Sequence, residues 1–307
     1  MRAAVLDLGT NTFNLVIADI HGETFKIILS RKLPVKLGEG GINEGEIIPE
    51  AFSRGIDAIM DHFQIIRQYS VDKMKAFGTS ALRTAGNGHL FLSTIKEKTG
   101  INVEIITGDK EAELIYYGVR QTHEMMDGNY LILDIGGGSN EFIIGNNEKI
   151  FWKKSYKLGI ARLLELFKPS DPIKHSEILR INEFIDEEIG DLKEQVRSHR
   201  VDTLIGASGS FETFISMLKE EDTITESALI PRSHPISEQD FDYLYRKLIS
   251  STHRERLGMK GLEPMRVEMI VLACVFVKFI LGTLGIKNIF QSNFSLKEGA
   301  LYEFINS

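Results

Sequence analysis

The sequence lacks the features of several classes of protein. It has a single cysteine, Cys274, in 307 residues, so no disulfide can form within the chain and a reducing compartment such as the cytoplasm is expected. The longest apolar stretch, residues 269–285, falls short of the roughly 20 residues of a membrane-spanning helix, and Lys278 interrupts it. Asp7 interrupts the first apolar stretch before the core of a secretion signal could form. We therefore expect a buried helix at residues 269–285 and no membrane partner.

Positive charge is also scarce. The 36 Lys and Arg residues are outnumbered by 43 Asp and Glu residues, and the resulting net charge of −7 argues against nucleic acid as a partner. The eight histidines show no metal-ligand spacing, and there is no Walker-type glycine loop. An anionic ligand would therefore have to be bound by local hydrogen-bond donors.

An internal duplication is the most informative pattern in the sequence. Short segments of the first half recur in the same order in the second half, which predicts two α/β domains built from one βββαβαβα unit. We place the first domain at residues 1–124 with 296–307, and the second at 125–295. The main matching pairs are Leu6-Asp7-Leu8-Gly9 with Leu133-Asp134-Ile135-Gly136, Gly78-Thr79-Ser80-Ala81 with Gly206-Ala207-Ser208-Gly209, and Lys110-Glu111-Ala112 with Lys297-Glu298-Gly299.

The first repeated segment predicts a phosphate site. In each copy an aspartate, Asp7 or Asp134, ends an apolar strand and is followed by a turn of small residues. Backbone N–H groups and hydroxyls in such turns can donate to one anion. The aspartates would repel phosphate, so we expect them to bind a divalent cation or orient water. The alternative is a pair of tight hairpins with surface acids, but the same pattern occurring twice favours a ligand site.

The other two repeated segments add candidate side chains. Each small-residue turn before a helix can bind an anion, although close packing of strand against helix is the alternative. In the first half this turn leads to Arg83, which can bind phosphate oxygens with two N–H groups. Glu111 lies in the first turn of a predicted helix and could deprotonate a water, although acids are common there for electrostatic reasons alone. Glu141 follows Ser139 closely and could lie beside Asp134.

Together these motifs resemble the exopolyphosphatase and guanosine pentaphosphate phosphohydrolase family, over essentially the whole chain. The resemblance implies the duplicated ribonuclease H-like fold of actin, sugar kinases and heat-shock chaperones, with a ligand cleft between two domains. It also implies magnesium-dependent removal of a terminal phosphate. The motifs that carry it are Asp7-Leu8-Gly9-Thr10-Asn11-Thr12-Phe13, Gly78-Thr79-Ser80-Ala81-Leu82-Arg83, Gly108-x-x-Glu111-Ala112, Asp134-Ile135-Gly136-Gly137-Gly138-Ser139-x-Glu141 and Gly206-x-Ser208-Gly209.

The resemblance also implies roles for residues at matching positions. Glu111 would activate the attacking water. Asp134 and Glu141 would bind Mg²⁺ or position the water, and Asp7 would be a further metal ligand. The residues expected to bind phosphate are Thr10, Asn11, Thr12, Ser80, Arg83, Gly136, Gly137, Gly138, Ser139, Ser208 and Gly209.

Four positions depart from the family's pattern, and one of them is Lys110, which stands where many members carry a second acid before the catalytic glutamate. Lys36 and Lys297 stand where an arginine is usual, and Glu268 stands where an aspartate is usual. Lysine keeps the positive charge of arginine but cannot form two parallel N–H bonds to one phosphate. We therefore expect a change in the strength or preference of phosphate binding.

The favoured hypothesis is a cytoplasmic exopolyphosphatase that acts on inorganic polyphosphate. Guanosine pentaphosphate is the alternative substrate, because no sequence feature reports on a guanine base. A kinase of the same fold and a non-catalytic sensor of polyphosphate or nucleotide are hypotheses from other classes, and Glu111 argues against both. The sequence leaves a homodimer open, because the apolar second half could supply a dimer face as well as a core.

Overall fold

The structure, a computed structural model, describes residues 1–122, 128–221 and 233–305. The predicted domain boundary at residues 124 and 125 lies outside the described residues, and the division into two domains stays a prediction. Two mixed sheets with flanking helices form the described part of the chain. No described helix combines the length and the hydropathy needed to cross a bilayer.

The first sheet has five strands in the order β3-β2-β1-β4-β5. Strand β2 is antiparallel to both β1 and β3, whereas β4 is parallel to β1 and β5 is parallel to β4. The elements of the first half are β1 (Arg2–Leu8), β2 (Thr12–His21), β3 (Thr24–Pro34), α1 (Pro49–Gln68), β4 (Lys73–Gly78), α2 (Ser80–Thr84), α3 (Gly88–Thr99), β5 (Glu104–Ile105) and α4 (Gly108–Arg120).

The second sheet repeats this plan in the order β10-β11-β9-β6-β7-β8. Strand β6 corresponds to β1, β9 to β4 and β11 to β5, with the same strand directions, and β10 is an additional antiparallel edge strand. The predicted duplicated α/β fold is therefore confirmed. The elements are β6 (Tyr130–Ile135), β7 (Asn140–Gly145), β8 (Ile150–Tyr156), α5 (Ile160–Phe167), α6 (His175–Glu188), α7 (Gly190–Ser198), β9 (Thr203–Ala207), α8 (Gly209–Glu220), β10 (Ser233–Ile236), α9 (Glu238–Ile249), α10 (His253–Leu257), α11 (Ile270–Leu284), β11 (Asn288–Ser292) and α12 (Leu296–Ile305).

The repeated unit is less regular than predicted. The strand that precedes α4 has only two residues, Glu104–Ile105, because this edge strand pairs only with Phe77 and Gly78 of β4 and exposes both of its residues. The second half has three helices between its third and fourth strands, where the unit predicts one. The helix α6 adds the apolar face of Ile178, Ile181 and Ile185 to the core.

Apolar residues on both sides of the central strands fix the two sheets between helices. Leu131 and Leu133 of β6 belong to one core cluster, while Ile132 between them belongs to another, as expected for a strand covered on both faces. The predicted buried helix is α11, and Cys274 within it is fully buried. These packed layers hold the strand ends, and the turns that follow them, in fixed positions.

The last helix, α12, packs against α4 and β1. Gly299 of α12 lies against the Leu114 carbonyl of α4, and Gly118 of α4 lies against the Ser295 carbonyl, so that a side chain at either glycine would overlap the other helix's backbone. Close helix crossings of this kind need residues without a Cβ. The crossing places the first turns of both helices at the same cleft.

Candidate active site

The two repeated turns have the same backbone structure. Gly9 N–H donates to the Thr12 carbonyl at 3.0 Å, and Gly136 N–H donates to the Ser139 carbonyl at 3.0 Å. On the strands beside these turns, Asp7 pairs with Asn14 in the first half, and Asp134 pairs with Glu141 in the second. The duplication therefore extends to the residues opposite each aspartate, where one half has an amide and the other a carboxylate.

The predicted site residues are brought together in one cleft of about 150 Å³ between the two halves. The exception is Arg83, which reaches the site through its ion pair with Glu111. The predicted residues that line the cleft are Asp7, Thr10, Asn11, Thr12, Ser80, Glu111, Asp134, Gly136, Gly137, Gly138, Ser139, Glu141, Ser208 and Gly209.

The turns of the two halves approach each other closely. A Cβ at Gly138 would lie 2.6 Å from Ser80 Oγ and 2.7 Å from Thr10 Oγ1, and a Cβ at Gly137 would overlap the Asn11 amide. Only glycine lets the second turn come this near to the first. One small anion can therefore meet donors from both halves of the chain.

The backbone carbonyl groups of both turns accept hydrogen bonds from N–H groups of other segments. In the second half, Ile160 N–H donates to the Gly136 carbonyl at 3.0 Å and Ala161 N–H to the Gly137 carbonyl at 2.9 Å. In the first half, Lys36 N–H donates to the Asn11 carbonyl at 2.9 Å. In a trans peptide the C=O and the next N–H point in opposite directions, so the following N–H groups point away from these donors.

Two buried glutamates form the acidic centre of the cleft. Glu111, 8% exposed, accepts a hydrogen bond from Arg83 Nη1 at 3.0 Å, and Arg83 also donates to the Ile106 carbonyl at 2.8 Å. Glu141, 2% exposed, accepts from Ser139 Oγ at 2.8 Å and from Ser155 Oγ at 2.7 Å. Burial, followed by the nearby charge of Glu141, raises the pKa of Glu111 well above its usual range, and Arg83 opposes that rise.

The two aspartates differ in their surroundings. Asp134 accepts a hydrogen bond from the Ser295 hydroxyl, and burial raises its pKa to about 6. Asp7 accepts from Asn14 Nδ2 at 2.9 Å, and burial raises its pKa as well. Acids whose charge is this poorly solvated favour a bound cation.

Several cleft residues were not among the predicted site residues. The most informative is Lys297, in the first turn of α12: burial lowers its pKa, but the carboxylates of Glu298, Glu212, Asp7 and Asp134 outweigh that effect and raise it. Its place in the repeat of Lys110-Glu111-Ala112 was the signal that could have identified it. The polar and charged residues missed are Asn14, Lys32, Thr79, Ser210, Glu212, Arg266, Asn293, Ser295 and Lys297.

Two predicted phosphate-binding side chains, in addition to Arg83 and Ser139, make contacts within the protein. The Ser208 hydroxyl donates to the Ile135 carbonyl at 3.1 Å and accepts from Ile135 N–H at 3.2 Å, which joins α8 to the end of β6. Asn11 Nδ2 donates to Met269 Sδ across the cleft at 2.9 Å. Phosphate binding by these two side chains stays a prediction.

Two of the positions that depart from the family's pattern contact each other. Lys36 Nζ of the first half lies 2.7 Å from Glu268 Oε2 of the second half. A lysine paired with a longer acid thus replaces the usual arginine and aspartate. Lys32 and Glu212 form a second cross-cleft ion pair, at 3.2 Å.

Comparison with known proteins agrees with this geometry. The model of the Ppx/GppA phosphatase family matches residues 16–307. The chain belongs to the Ppx/GppA phosphatase family. Membership confirms the resemblance of the sequence motifs, and the roles of the individual site residues stay predictions.

Solved structures and curated proteins are similar to this chain over most of its length. The crystal structure of an exopolyphosphatase from Cytophaga hutchinsonii is 37% identical, with a TM-score of 0.94, and the match covers 100% of this chain and 98% of that one. A bifunctional 3-dehydroquinate synthase/phosphatase from Fusobacterium nucleatum is 30% identical over 100% of this chain, which spans 47% of that protein. A guanosine-5'-triphosphate,3'-diphosphate pyrophosphatase from Photobacterium profundum is 27% identical over 99% of this chain and 59% of its own length.

Proposed function

We propose that the protein is an exopolyphosphatase, which releases terminal orthophosphate from inorganic polyphosphate. The observation that carries the proposal is the position of Glu111, a buried carboxylate that shares one cleft with two facing turns of backbone N–H groups. A site that only binds phosphate has no need of a buried carboxylate beside its anion donors, because the two charges repel. Hydrolysis needs both, one to hold the phosphate and one to activate water.

The residues of the cleft support a single in-line displacement. The terminal phosphate lies between the turns, where N–H groups and the hydroxyl of Thr10 donate to its oxygens. Glu111 accepts a proton from a water as the water oxygen bonds to the terminal phosphorus. The bond from phosphorus to the bridging oxygen breaks, and that oxygen leaves with the shortened polyphosphate. The cations Arg83 and Lys297 reduce the negative charge at the site.

The acidic residues also fit magnesium. No group of three or more His, Cys, Asp or Glu residues suited to a metal ion occurs in the described part of the chain. Mg²⁺ is commonly bound by one or two carboxylates together with substrate phosphates and water, so a complete protein cage is not required. Asp134 and Glu141, with Asp7 nearby, supply the oxygen ligands that Mg²⁺ prefers. When bound, the ion would withdraw charge from the phosphate oxygens.

Guanosine pentaphosphate is the second candidate substrate, because the Photobacterium relative is a guanosine-5'-triphosphate,3'-diphosphate pyrophosphatase. The chemistry at the terminal phosphate would be the same, and the difference would lie in a site for the nucleoside. A kinase and a non-catalytic sensor are less well supported, because the cleft offers a base for water and both halves contribute to it.

The test compares phosphate release from long-chain polyphosphate and from guanosine pentaphosphate, with magnesium, at equal concentrations of terminal phosphate. Replacement of Glu111 by Gln keeps the shape and removes the base, so we expect hydrolysis to fall by about two to four orders of magnitude. Glu113→Gln is the matched control, because Glu113 lies on the same helix but pairs with Lys153 and Lys110.

Each outcome has a distinct meaning. Release mainly from polyphosphate, lost in Glu111→Gln and retained in Glu113→Gln, supports the proposal. Release mainly from the nucleotide would show that the same site acts on guanosine pentaphosphate. No release from either substrate, with tight polyphosphate binding, favours the sensor.

A further inference from the structure

Arg162, in the first turn of α5, crosses from the second half of the chain to the first. Its Nε donates to the Gly138 carbonyl at 3.2 Å. Gly138 lies in the turn at residues 136–139, here called the second phosphate turn; the turn at residues 9–12 is the first. Its Nη1 donates to the Ile42 carbonyl at 2.9 Å and to Asn43 Oδ1 at 3.1 Å, in the first half. One rigid guanidinium therefore contacts a phosphate turn of one half and a loop of the other.

The loop that receives Arg162, residues 38–45, is itself bonded to the first phosphate turn. Gly38 N–H donates to the Thr10 carbonyl at 3.2 Å, and Ile42 N–H donates to the Gly38 carbonyl at 3.0 Å. A continuous series of hydrogen bonds thus runs from Gly138 through Arg162, Ile42 and Gly38 to Thr10. The two ends of this series are the residues that face each other across the cleft.

Two further contacts fasten α5 to the same loop. Glu165, one turn after Arg162, accepts a hydrogen bond from Gly40 N–H at 2.5 Å. Asn43 Nδ2 donates to the backbone carbonyl of Arg162 at 3.3 Å, which makes the contact between these two residues reciprocal. The planar guanidinium fixes both the distance and the direction of its bonds, which a lysine ammonium cannot do.

We infer that Arg162 is a positioning residue for phosphate transfer: it holds the second phosphate turn at a fixed distance from the first. The inference rests on the proposed function, because the two turns must share one phosphate. Arg162 acts through Gly138 and the loop at residues 38–45 and does not touch the reacting atoms. Loss of the guanidinium weakens this link between the turns, while the other contacts between the halves and every predicted catalytic and phosphate-binding residue stay in place.

The test compares Arg162→Lys with the wild type and with a matched control, Arg2→Lys. Arg2 also donates to a backbone carbonyl, that of Tyr69 at 2.9 Å, and to a side-chain oxygen of Asp19, but all three residues lie in the first half. Asn43→Ala is a second variant, which weakens the same contact from the other side and leaves Arg162 intact. Two readouts are needed: hydrogen exchange of the amides at residues 38–45, and kcat and KM for polyphosphate hydrolysis.

We expect Arg162→Lys to lower kcat by about 10- to 100-fold, because a displacement of about 1 Å between reacting groups costs that much. KM should change by less than about threefold, since the direct phosphate donors remain. The amides at residues 38–45 should exchange faster in Arg162→Lys and, to a lesser degree, in Asn43→Ala. Arg2→Lys should match the wild type in both readouts.

The inference is wrong if Arg162→Lys exchanges these amides at the wild-type rate, or if faster exchange leaves kcat unchanged. A rise in KM with unchanged kcat would instead make Arg162 a simple contributor to binding. If the wild type releases no phosphate from either substrate, the proposed function fails, and hydrogen exchange of the amides at residues 38–45, measured with and without tripolyphosphate, replaces kcat as the readout. Equal exchange in wild type and Arg162→Lys would then overturn the inference separately.

Discussion

Arg83 binds the carboxylate of Glu111 and the carbonyl of Ile106 with the same nitrogen, at 3.0 and 2.8 Å. The arginine follows β4 and the glutamate follows β5, so the ion pair joins the ends of two neighbouring parallel strands. Burial favours the protonated form of Glu111, whereas the guanidinium favours the ionised form. These two effects oppose each other. Their balance sets the pKa of Glu111, and therefore the pH at which this candidate base can accept a proton.

Replacement of Arg83 by Gln removes the cation that opposes burial. The pKa of Glu111 should rise further, which leaves less of the ionised base at neutral pH. We expect kcat at pH 7 to fall by about tenfold or more, since each pKa unit changes the ratio of the two forms tenfold. Arg83→Lys keeps the charge and should lose less. The measurement is kcat between pH 5 and about 9, and equal profiles in wild type and Arg83→Gln would contradict the prediction.

The pH dependence of hydrolysis should show the interaction of Glu111 with Glu141. Both pKa values are raised, first by burial and then by neighbouring carboxylates. A general base works when deprotonated, so activity should decline as the pH falls through a value above the ordinary glutamate pKa of about 4.3.

Glu141→Gln tests the source of this shift. It removes a negative charge beside Glu111, so the acidic limb of kcat/KM should move to lower pH even though the overall rate is reduced. Glu113→Gln should leave the pH of this acidic limb unchanged. A limb that stays unchanged in Glu141→Gln would show that burial alone sets the pKa of Glu111.

Removal of magnesium should abolish phosphate release, and the loss should be reversed by added Mg²⁺. Asp134→Asn retains the side-chain shape but weakens a predicted oxygen ligand. We expect the Mg²⁺ concentration for half-maximal activity to rise by about tenfold or more, the effect that even outer-shell partners have on metal affinity. Asp61→Asn is the control, because Asp61 pairs with Arg31 on the surface. An unchanged magnesium requirement in Asp134→Asn would remove Asp134 from the metal site.

The crossing of α4 and α12 should limit what the chain tolerates at Gly299. An added methyl group would overlap the Leu114 carbonyl, and we expect Gly299→Ala to lower the free energy of unfolding by about 1–3 kcal/mol. Gly282 also lies in a helix, but no atom lies within 4 Å of a Cβ built there. Gly282→Ala should therefore raise the free energy of unfolding by about 0.5–1 kcal/mol. Urea denaturation of the two variants measures both effects, and equal midpoints would contradict the close crossing.

The sequence predicted the site more completely than it predicted the elements around it. Repeated turns such as Gly136-Gly137-Gly138 need residues that allow unusual backbone angles, so the residue types themselves indicate the turn. Lys297 could have been identified from its repeat of Lys110, whereas nothing in the local sequence of Arg266 indicates that packing brings it to the same cleft. The edge strand β10 was also missed, because its four residues depend on pairing with β11 rather than on their own preference.

The amino-acid sequence by itself determined the duplication, the α/β fold class, the family resemblance and the residues of the two turns. Tertiary structure alone decided which partners those residues have: Arg83 with Glu111, Ser295 with Asp134, Lys36 with Glu268, and Arg162 with the opposite half. The reason is that turn formation depends on neighbours in the chain, whereas the ionisation and orientation of a buried side chain depend on groups that packing brings from 28 to 232 residues away.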